Sequence, residues 1–337
     1  MKVLVTGGGG YIGSVLVRML LERGYGVTVL DRMFFGTEPL KEVEDQITVV
    51  RDDVRWFEPS LLDGIDVVID MAALSNDPSG ELDRTKTLEI NHKGRVRVAN
   101  LSKRRGVKKY VLASSCSVYG FRDGILNEDC PVSPLTTYAQ ANVLWENDTL
   151  PLADKHFSVT ALRQATVYGL SPRMRFDLVV NSMVASFFKS GKIPIGRDGT
   201  QWRPNVHVKD TSNAFIKVIE SEPEVVNKQI FNVGSNEQNH QIFPLGKLIA
   251  NAVGLPFEYE WYGTKDCRSY RVGFNKICDT LGFKPEYTPV EGAKEIFKAL
   301  QGSIVNMDDM KTKTVEWYKY LLRSSAVPDV AIDGKVL

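Results

Sequence analysis

Val3-Leu-Val-Thr-Gly-Gly-Gly-Gly-Tyr-Ile-Gly13 decides the fold. The apolar run Lys2 to Thr6 enters a cluster of glycines. Ile12, Val15, Leu16, Met19 and Leu20 then recur at helical spacing until Gly24 stops the helix. Gly8, Gly10 and Gly13 satisfy GxGxxG, and Gly7, Gly10 and Gly13 satisfy GxxGxxG. The early glycines permit positive φ in a tight turn. The middle one lets the backbone approach a pyrophosphate, and the last lets helix and strand pack closely. A helix beginning near Tyr11 and Ile12 points its unpaired N–H groups at the phosphates. Strand, glycines and helix in that order are the context a dinucleotide site requires. Asp31 closes the next apolar strand, Val27 to Leu30, about 20 residues on, where an acid holds a ribose 2′-hydroxyl. A carboxylate there repels a 2′-phosphate, so NAD is favoured over NADP, although the adjacent Arg32 keeps NADP open.

Outward from this segment, strands and helices alternate. Ile47 to Val50, Asp66 to Met71, Lys109 to Ala113 and Val159 to Arg163 read as buried strands. Thr85 to Arg105 and Tyr138 to Ala153 read as the long helices between them. The repetition predicts an α/β fold: a Rossmann-type, doubly wound parallel sheet covered on both faces. After Gly169 the pattern loosens. Val206 to Val208 and Gln229 to Val233 read as strands, and Leu245 to Val253 and Val290 to Leu300 as helices. The expected division is a cofactor-binding domain over 1–169, with returning segments near 204–234. A smaller C-terminal substrate-binding domain takes 170–203 and 235–325, and 326–337 form a tail.

Composition narrows the partners. The 337 residues carry a net charge of +1, which gives no electrostatic footprint for nucleic acid or an anionic membrane. No apolar run is long enough to span a bilayer. The cysteines Cys116, Cys130, Cys267 and Cys278 form no CxxC, and the histidines have no metal-ligand spacing. The expectation is a reduced, cytoplasmic protein without a metal.

With these segments assembled, the chain resembles the extended short-chain dehydrogenase/reductase family, closest to its NAD-dependent nucleotide-sugar epimerases and dehydratases. The similarity runs from Met1 to about Leu300. Asp53 and Val54 resemble the adenine-contacting pair, and Ala72 and Ala73 the strand end along the cofactor. Asn91 of Asn91-His-Lys-Gly94 resembles a sheet-bracing asparagine. Leu112-Ala-Ser-Ser-Cys-Ser-Val-Tyr-Gly120 is similar to the segment carrying the catalytic hydroxyl, which falls on Ser115 with Ser114 beside the cofactor. Tyr138-Ala-Gln-Ala-Asn142 stands where the family has Tyr-x-x-x-Lys. Leu162-Arg-Gln-Ala-Thr-Val-Tyr-Gly169, with Thr166, is similar to the strand leading towards substrate. Trp202-Arg-Pro-Asn-Val-His-Val-Lys-Asp210 resembles the segment whose arginine, here Arg203, meets a nucleotide diphosphate. Arg268 is the second diphosphate candidate, because guanidinium pairs with phosphate in matched geometry. Asn181 is a candidate substrate contact. The resemblance also implies a homodimer.

It implies a chemistry as well. Oxidising a sugar carbinol needs a base for the hydroxyl proton, and Tyr138 is that base, with Ser115 holding the same oxygen. A phenol serves only if its pKa falls well below about 10, which nearby positive charge brings about. Asn142 can hydrogen-bond the nicotinamide ribose but supplies no charge. An adapted catalytic site, a weakly catalytic NAD and nucleotide-sugar binding protein, and an altered residue or base all stay open. Cys116 and Ser117 stand where the family's 4,6-dehydratases carry an Asp-Glu pair, so dehydration is disfavoured. Epimerisation, most naturally at C4, is the main reading, and keto-sugar reduction the alternative.

Overall fold

The computed structural model describes residues 1–264 and 268–323. Cys267, Asp266 and the expected 326–337 tail lie outside the described residues. The strands are β1 Lys2–Thr6, β2 Gly26–Asp31, β3 Ile47–Arg51, β4 Val67–Asp70, β5 Lys109–Ser115, β6 Ile125–Leu126, β7 Ser158–Gln164, β8 Thr166–Tyr168, β9 Ile193–Gly196, β10 Trp202–His207, β11 Gln229–Val233, β12 Asn239–Gln241, β13 Tyr259–Tyr262 and β14 Arg271–Val272. The helices are α1 Gly13–Glu22, α2 Asp77–Gly80, α3 Arg84–Leu88, α4 Arg95–Arg104, α5 Thr137–Thr149, α6 Val179–Ser190, α7 Val208–Glu220, α8 Pro223–Val226, α9 Ile242–Ala252, α10 Asn275–Leu281, α11 Pro289–Gln301 and α12 Thr314–Arg323.

Seven strands pair in parallel in the order β11-β7-β5-β4-β1-β2-β3. The chain winds from β1 outward through β2 to β3, then returns to lay β4 on the other side of β1. That reversal opens a crevice at the carboxyl ends of β1 and β4, where open α/β sheets bind ligands. Side-chain alternation divides the core in two. Val3 and Val5 join the apolar cluster on one face of the sheet, and Leu4 joins the cluster on the other. The first cluster runs on without interruption into Phe187, Ile193 and Ile249, so the C-terminal segments share a core with the main sheet.

Three local readings are corrected. Ile47–Arg51 is the terminal strand of the sheet and half open to solvent, with Val49 40% exposed, because only β2 covers it. The helix expected over Thr85 to Arg105 is α3 and α4 joined through a π-helical turn at Glu89–Gly94. The turn aims Asn91 at the loop after β4: its amide donates to the Leu74 carbonyl (3.0 Å) and its oxygen accepts from Leu74 N–H (2.8 Å). The helix from Tyr138 ends at Thr149, where a short 3-10 turn, Leu150–Leu152, follows. No helix among the described residues is long and apolar enough to cross a membrane.

Candidate active site

The crevice holds a cavity of ≈ 620 Å³. Its cofactor end is built by the glycine turn. Gly7 has φ +71°, and a Cβ there would stand 2.9 Å from the Ala72 nitrogen. A Cβ on Gly13 would stand 2.3 Å from the Gly7 carbonyl oxygen and 2.7 Å from the Gly8 Cα, so only hydrogen lets α1 sit this close to the turn. Gly10 N–H donates to the Gly7 carbonyl at 3.0 Å. The α1 N-terminus has no side-chain cap; Ser14 and Val15 N–H donate to the Gly10 and Ile12 carbonyls, and the N–H groups just before them face the turn where an anion would bind. Gly7, Gly10, Tyr11, Ile12 and Gly13 all line the cavity, as do Asp31, Arg32, Asp53, Val54, Ala72, Ala73 and Ser114. Replacing Gly13 by alanine is expected to weaken NAD binding at least about tenfold by pushing α1 away from the turn. Isothermal titration checks it, with circular dichroism controlling for the fold.

The Asp31 carboxylate accepts from Gly9 N–H (2.9 Å) and Met33 N–H (2.7 Å). Burial raises its pKa, and those two N–H groups with Arg173 and Arg32 offset only part of the rise. Arg32 pairs with Asp53 (Nη1 to Oδ2, 3.0 Å), which Arg55 also grips at 2.9 Å. Burial raises the Asp53 pKa, but its Arg55 hydrogen bonds outweigh this and leave it below the ordinary value. Arg32 is thus already engaged by a carboxylate, and Asp31 itself would repel a 2′-phosphate. These features fit NAD.

Further along the cavity stand Ser115 and Tyr138. Ser115 ends β5 and accepts from Ser117 N–H at 3.1 Å, which turns the chain and leaves its hydroxyl at the cavity wall. Tyr138 opens α5, whose N-cap Thr136 accepts from Ala139 N–H at 3.2 Å. Gly80 admits α2 against it: a Cβ there would stand 2.9 Å from the Tyr138 Cβ. Burial raises the Tyr138 pKa. Asn142, Arg95 and Ser115 pull it down, and Asp77 pushes it up. Asn142 lies behind the lining rather than in it. Its amide donates to the Tyr138 carbonyl at 3.2 Å, while its buried Oδ1 has no hydrogen-bond partner among the described residues.

Beneath Ser115, the neighbouring Ser114 hydroxyl donates to Glu146, one face of α5 further on. Glu146 pairs with Arg163 of β7 at 2.7 Å, both side chains being 5% exposed or less. Thr166, Arg203 and Arg268 also line the cavity. Arg203 donates to the carbonyls of Trp202 and Arg268, and Arg268 pairs with Asp77 at 2.8 Å. Asn181 is not in the wall. It is fully buried and bonds Gly169 N–H (3.0 Å), the Tyr11 hydroxyl (3.0 Å) and the Arg175 carbonyl (2.9 Å), so it braces the loop instead.

Sequence reasoning missed several wall residues. Asp77 and Arg175 come from segments with no motif. Val315 and Tyr318 come from α12, which folds back so that Trp317 Nε1 donates to the Phe34 carbonyl at 2.6 Å. Its only sequence trace is an amphipathic pattern that any surface helix shares.

Comparison with known proteins identifies the family and the fold. A family model described as the NAD dependent epimerase/dehydratase family matches residues 3–234. A UDP-glucose 4-epimerase of Mycolicibacterium smegmatis is 31% identical over 87% of this chain and 96% of its own. One from Lactobacillus helveticus is 28% identical over 86% and 94%. Among solved structures, MoeE5 in complex with UDP-glucuronic acid and NAD has 27% identity and a TM-score of 0.79, covering 90% of this chain and all of that one. The Thermotoga maritima UDP-glucose 4-epimerase, at 23% identity and a TM-score of 0.79, shares the fold. With the family model matching more than half of its length, the chain belongs to the NAD dependent epimerase/dehydratase family.

Proposed function

We propose that this protein is an NAD-dependent nucleotide-sugar epimerase that inverts a sugar carbinol at C4. UDP-sugars are the first candidates, because the relatives above carry that activity in their names. The observation that carries the reading is one continuous cavity. The glycine turn and Asp31, the Ser115 and Tyr138 pair, and Arg203 and Arg268 all line it.

NAD, when bound, supplies an acceptor for the carbinol hydride and returns it. The protein does the rest. Gly7, Gly10, Tyr11, Ile12 and Gly13 present backbone to the dinucleotide phosphates, and Asp31 takes a ribose hydroxyl. Ser114, held by Glu146, and Asn142, held behind Tyr138, keep the floor beside the nicotinamide ribose in place. Arg203 and Arg268 neutralise the sugar-nucleotide diphosphate, and Thr166 contributes a hydroxyl to the same wall. Tyr138 Oη accepts the C4 hydroxyl proton, Ser115 Oγ holds that oxygen, and Tyr138 gives the proton back after the keto sugar has presented its other face.

No carboxylate follows Ser115 to drive an elimination. Cys116 is fully buried, and burial raises its thiol pKa far above the usual value. Ser117 offers only a hydroxyl. Asp77, whose field reaches Tyr138, is engaged by Arg268 and by the Thr136 hydroxyl (2.7 Å). These features favour epimerisation over dehydration. The homodimer implied by the family resemblance belongs to the same reading.

The test is to incubate purified protein with UDP-, GDP-, CDP- and dTDP-sugars and separate the products. Reversible interconversion of two C4 epimers, with no net NADH at 340 nm, is the expected result. Stoichiometric NADH, or a dehydrated 4-keto product, would overturn it.

A further inference from the structure

The helix α12 follows the last segment that carries the family resemblance, yet two of its residues reach the cofactor crevice. Val315 and Tyr318, one helical turn apart on one face, line the cavity, as do Asp31 and Phe34 around the end of β2 and Arg175 in the loop before α6. The adjoining face anchors the helix. Thr314 Oγ1 accepts from Arg173 Nη2 (3.0 Å), and two residues earlier the Thr312 carbonyl accepts from Phe176 N–H (2.9 Å). Trp317 Nε1 donates to the Phe34 carbonyl at 2.6 Å. The Tyr318 ring meets Phe34 and Phe35 with centroids 6.1 Å and 5.6 Å away, and the Arg173 guanidinium lies 3.5 Å from the Phe35 centroid. Leu321 is buried in the apolar cluster that holds Leu30 and Val54. α12 thus ties the loop after β2 to the loop before α6. Tyr318 is only 3% exposed, and its hydroxyl has no hydrogen-bond partner among the described residues. A buried tyrosine hydroxyl usually finds one. Asp31 is among the charged groups that act on this hydroxyl, with Arg173, Arg175 and Asp177.

We infer that α12 belongs to the cofactor site: Val315 and the Tyr318 hydroxyl contact bound NAD near Asp31, and the helix straps the dinucleotide in place from one turnover to the next. The inference rests on the NAD site described above and deepens the proposed epimerase reading. An epimerase regenerates its NAD in every cycle, so release of the cofactor serves no step of the reaction. A helix pinned to two loops of the crevice slows that release, because NAD leaves only when the pins at Phe34 and Arg173 let go. Trp317 is a positioning residue in this scheme: it acts through the Phe34 carbonyl, while Tyr318 and Val315 make the contacts.

The test follows the cofactor itself. The full chain is loaded with radiolabelled NAD, chased with excess unlabelled NAD, and the label still bound is counted over time. Trp317→Phe keeps an aromatic ring but loses the Phe34 anchor, and is expected to release NAD about fivefold faster or more, the worth of one hydrogen bond. Tyr318→Phe keeps the packing on Phe34 and Phe35 and loses only the hydroxyl, so NAD affinity by isothermal titration should fall by about the same factor. Leu322→Ala, on the exposed face of the same helix, should release NAD at the native rate. If Trp317→Phe does not fold, Tyr318→Phe still tests the contact, because its ring and the Trp317 anchor remain. A lower melting temperature without NAD, combined with native NAD release and affinity in both variants, would make α12 a packing element only and overturn the inference. Equal acceleration in Leu322→Ala would overturn it as well. Native protein that takes up no labelled NAD would instead overturn the cofactor reading, so the two failures are distinct.

Discussion

Tyr138→Phe is expected to lower kcat about 10²–10⁴-fold, the range by which a positioned acid/base accelerates proton transfer, while NAD affinity and KM for the sugar nucleotide change little. The Tyr138 Cβ and backbone pack against Gly80, and phenylalanine keeps that contact. What is lost is an oxygen that no neighbour replaces, since the Ser115 hydroxyl carries an ordinary alcohol proton. The pH profile separates this from general damage. Burial holds the unliganded phenol above its usual range. In the native enzyme kcat therefore rises with pH as the phenol ionises in the cofactor complex. The residual rate of the Phe variant should lose that limb. A variant with near-native kcat would remove Tyr138 from the chemistry.

Arg163→Met carries the largest expected cost to stability. The guanidinium is buried against Glu146, with Nη2 to Oε2 at 2.7 Å, and Nη1 donates to the Tyr119 hydroxyl at 3.1 Å. Burial disfavours the Arg163 cation, but its Glu146 hydrogen bonds outweigh this and raise its pKa further above the ordinary value. Methionine matches much of the volume but leaves Glu146 as an unpaired buried carboxylate beside the Ser114 hydroxyl. Removing one partner of such a pair costs about 3–5 kcal/mol, a large part of a typical stability of about 5–15 kcal/mol. Urea unfolding measures it. Arg163→Met with Glu146→Leu should regain much of the loss, because the stranded charge disappears. A loss under about 1 kcal/mol would mean that water reaches the pair.

The cofactor end was legible because its requirements are local. Gly7 and Gly13 leave no room for a Cβ, and an acid must close β2, so both demands are written within one strand–turn–helix–strand unit. Arg203 and Ser115 were legible because each sits in a segment that resembles a known pattern. Asp77, Arg175 and α12 were not. Their roles depend on pairings over long sequence separations, such as Arg268 with Asp77 or Trp317 with Phe34. Asn142 was read as open to ligand because it stands at the family's lysine position, and Asn181 because it lies near the start of a helix expected to face substrate. Here backbone groups and the Tyr11 hydroxyl claim Asn181, and the α5 backbone turns Asn142 behind its tyrosine. The exposure of β3 follows from its place at the end of the strand order, which residue pattern alone does not reveal.

Isotope retention at the inverted carbon gives the most direct answer. UDP-glucose bearing deuterium at C4 is incubated with the protein in ordinary water, and the products are analysed by mass spectrometry and NMR. Transfer of the proton through Tyr138 and of the hydride within a closed site gives UDP-galactose with deuterium still at C4. Deuterium washed out to solvent, or inversion that proceeds equally well in Tyr138→Phe, would contradict that chemistry.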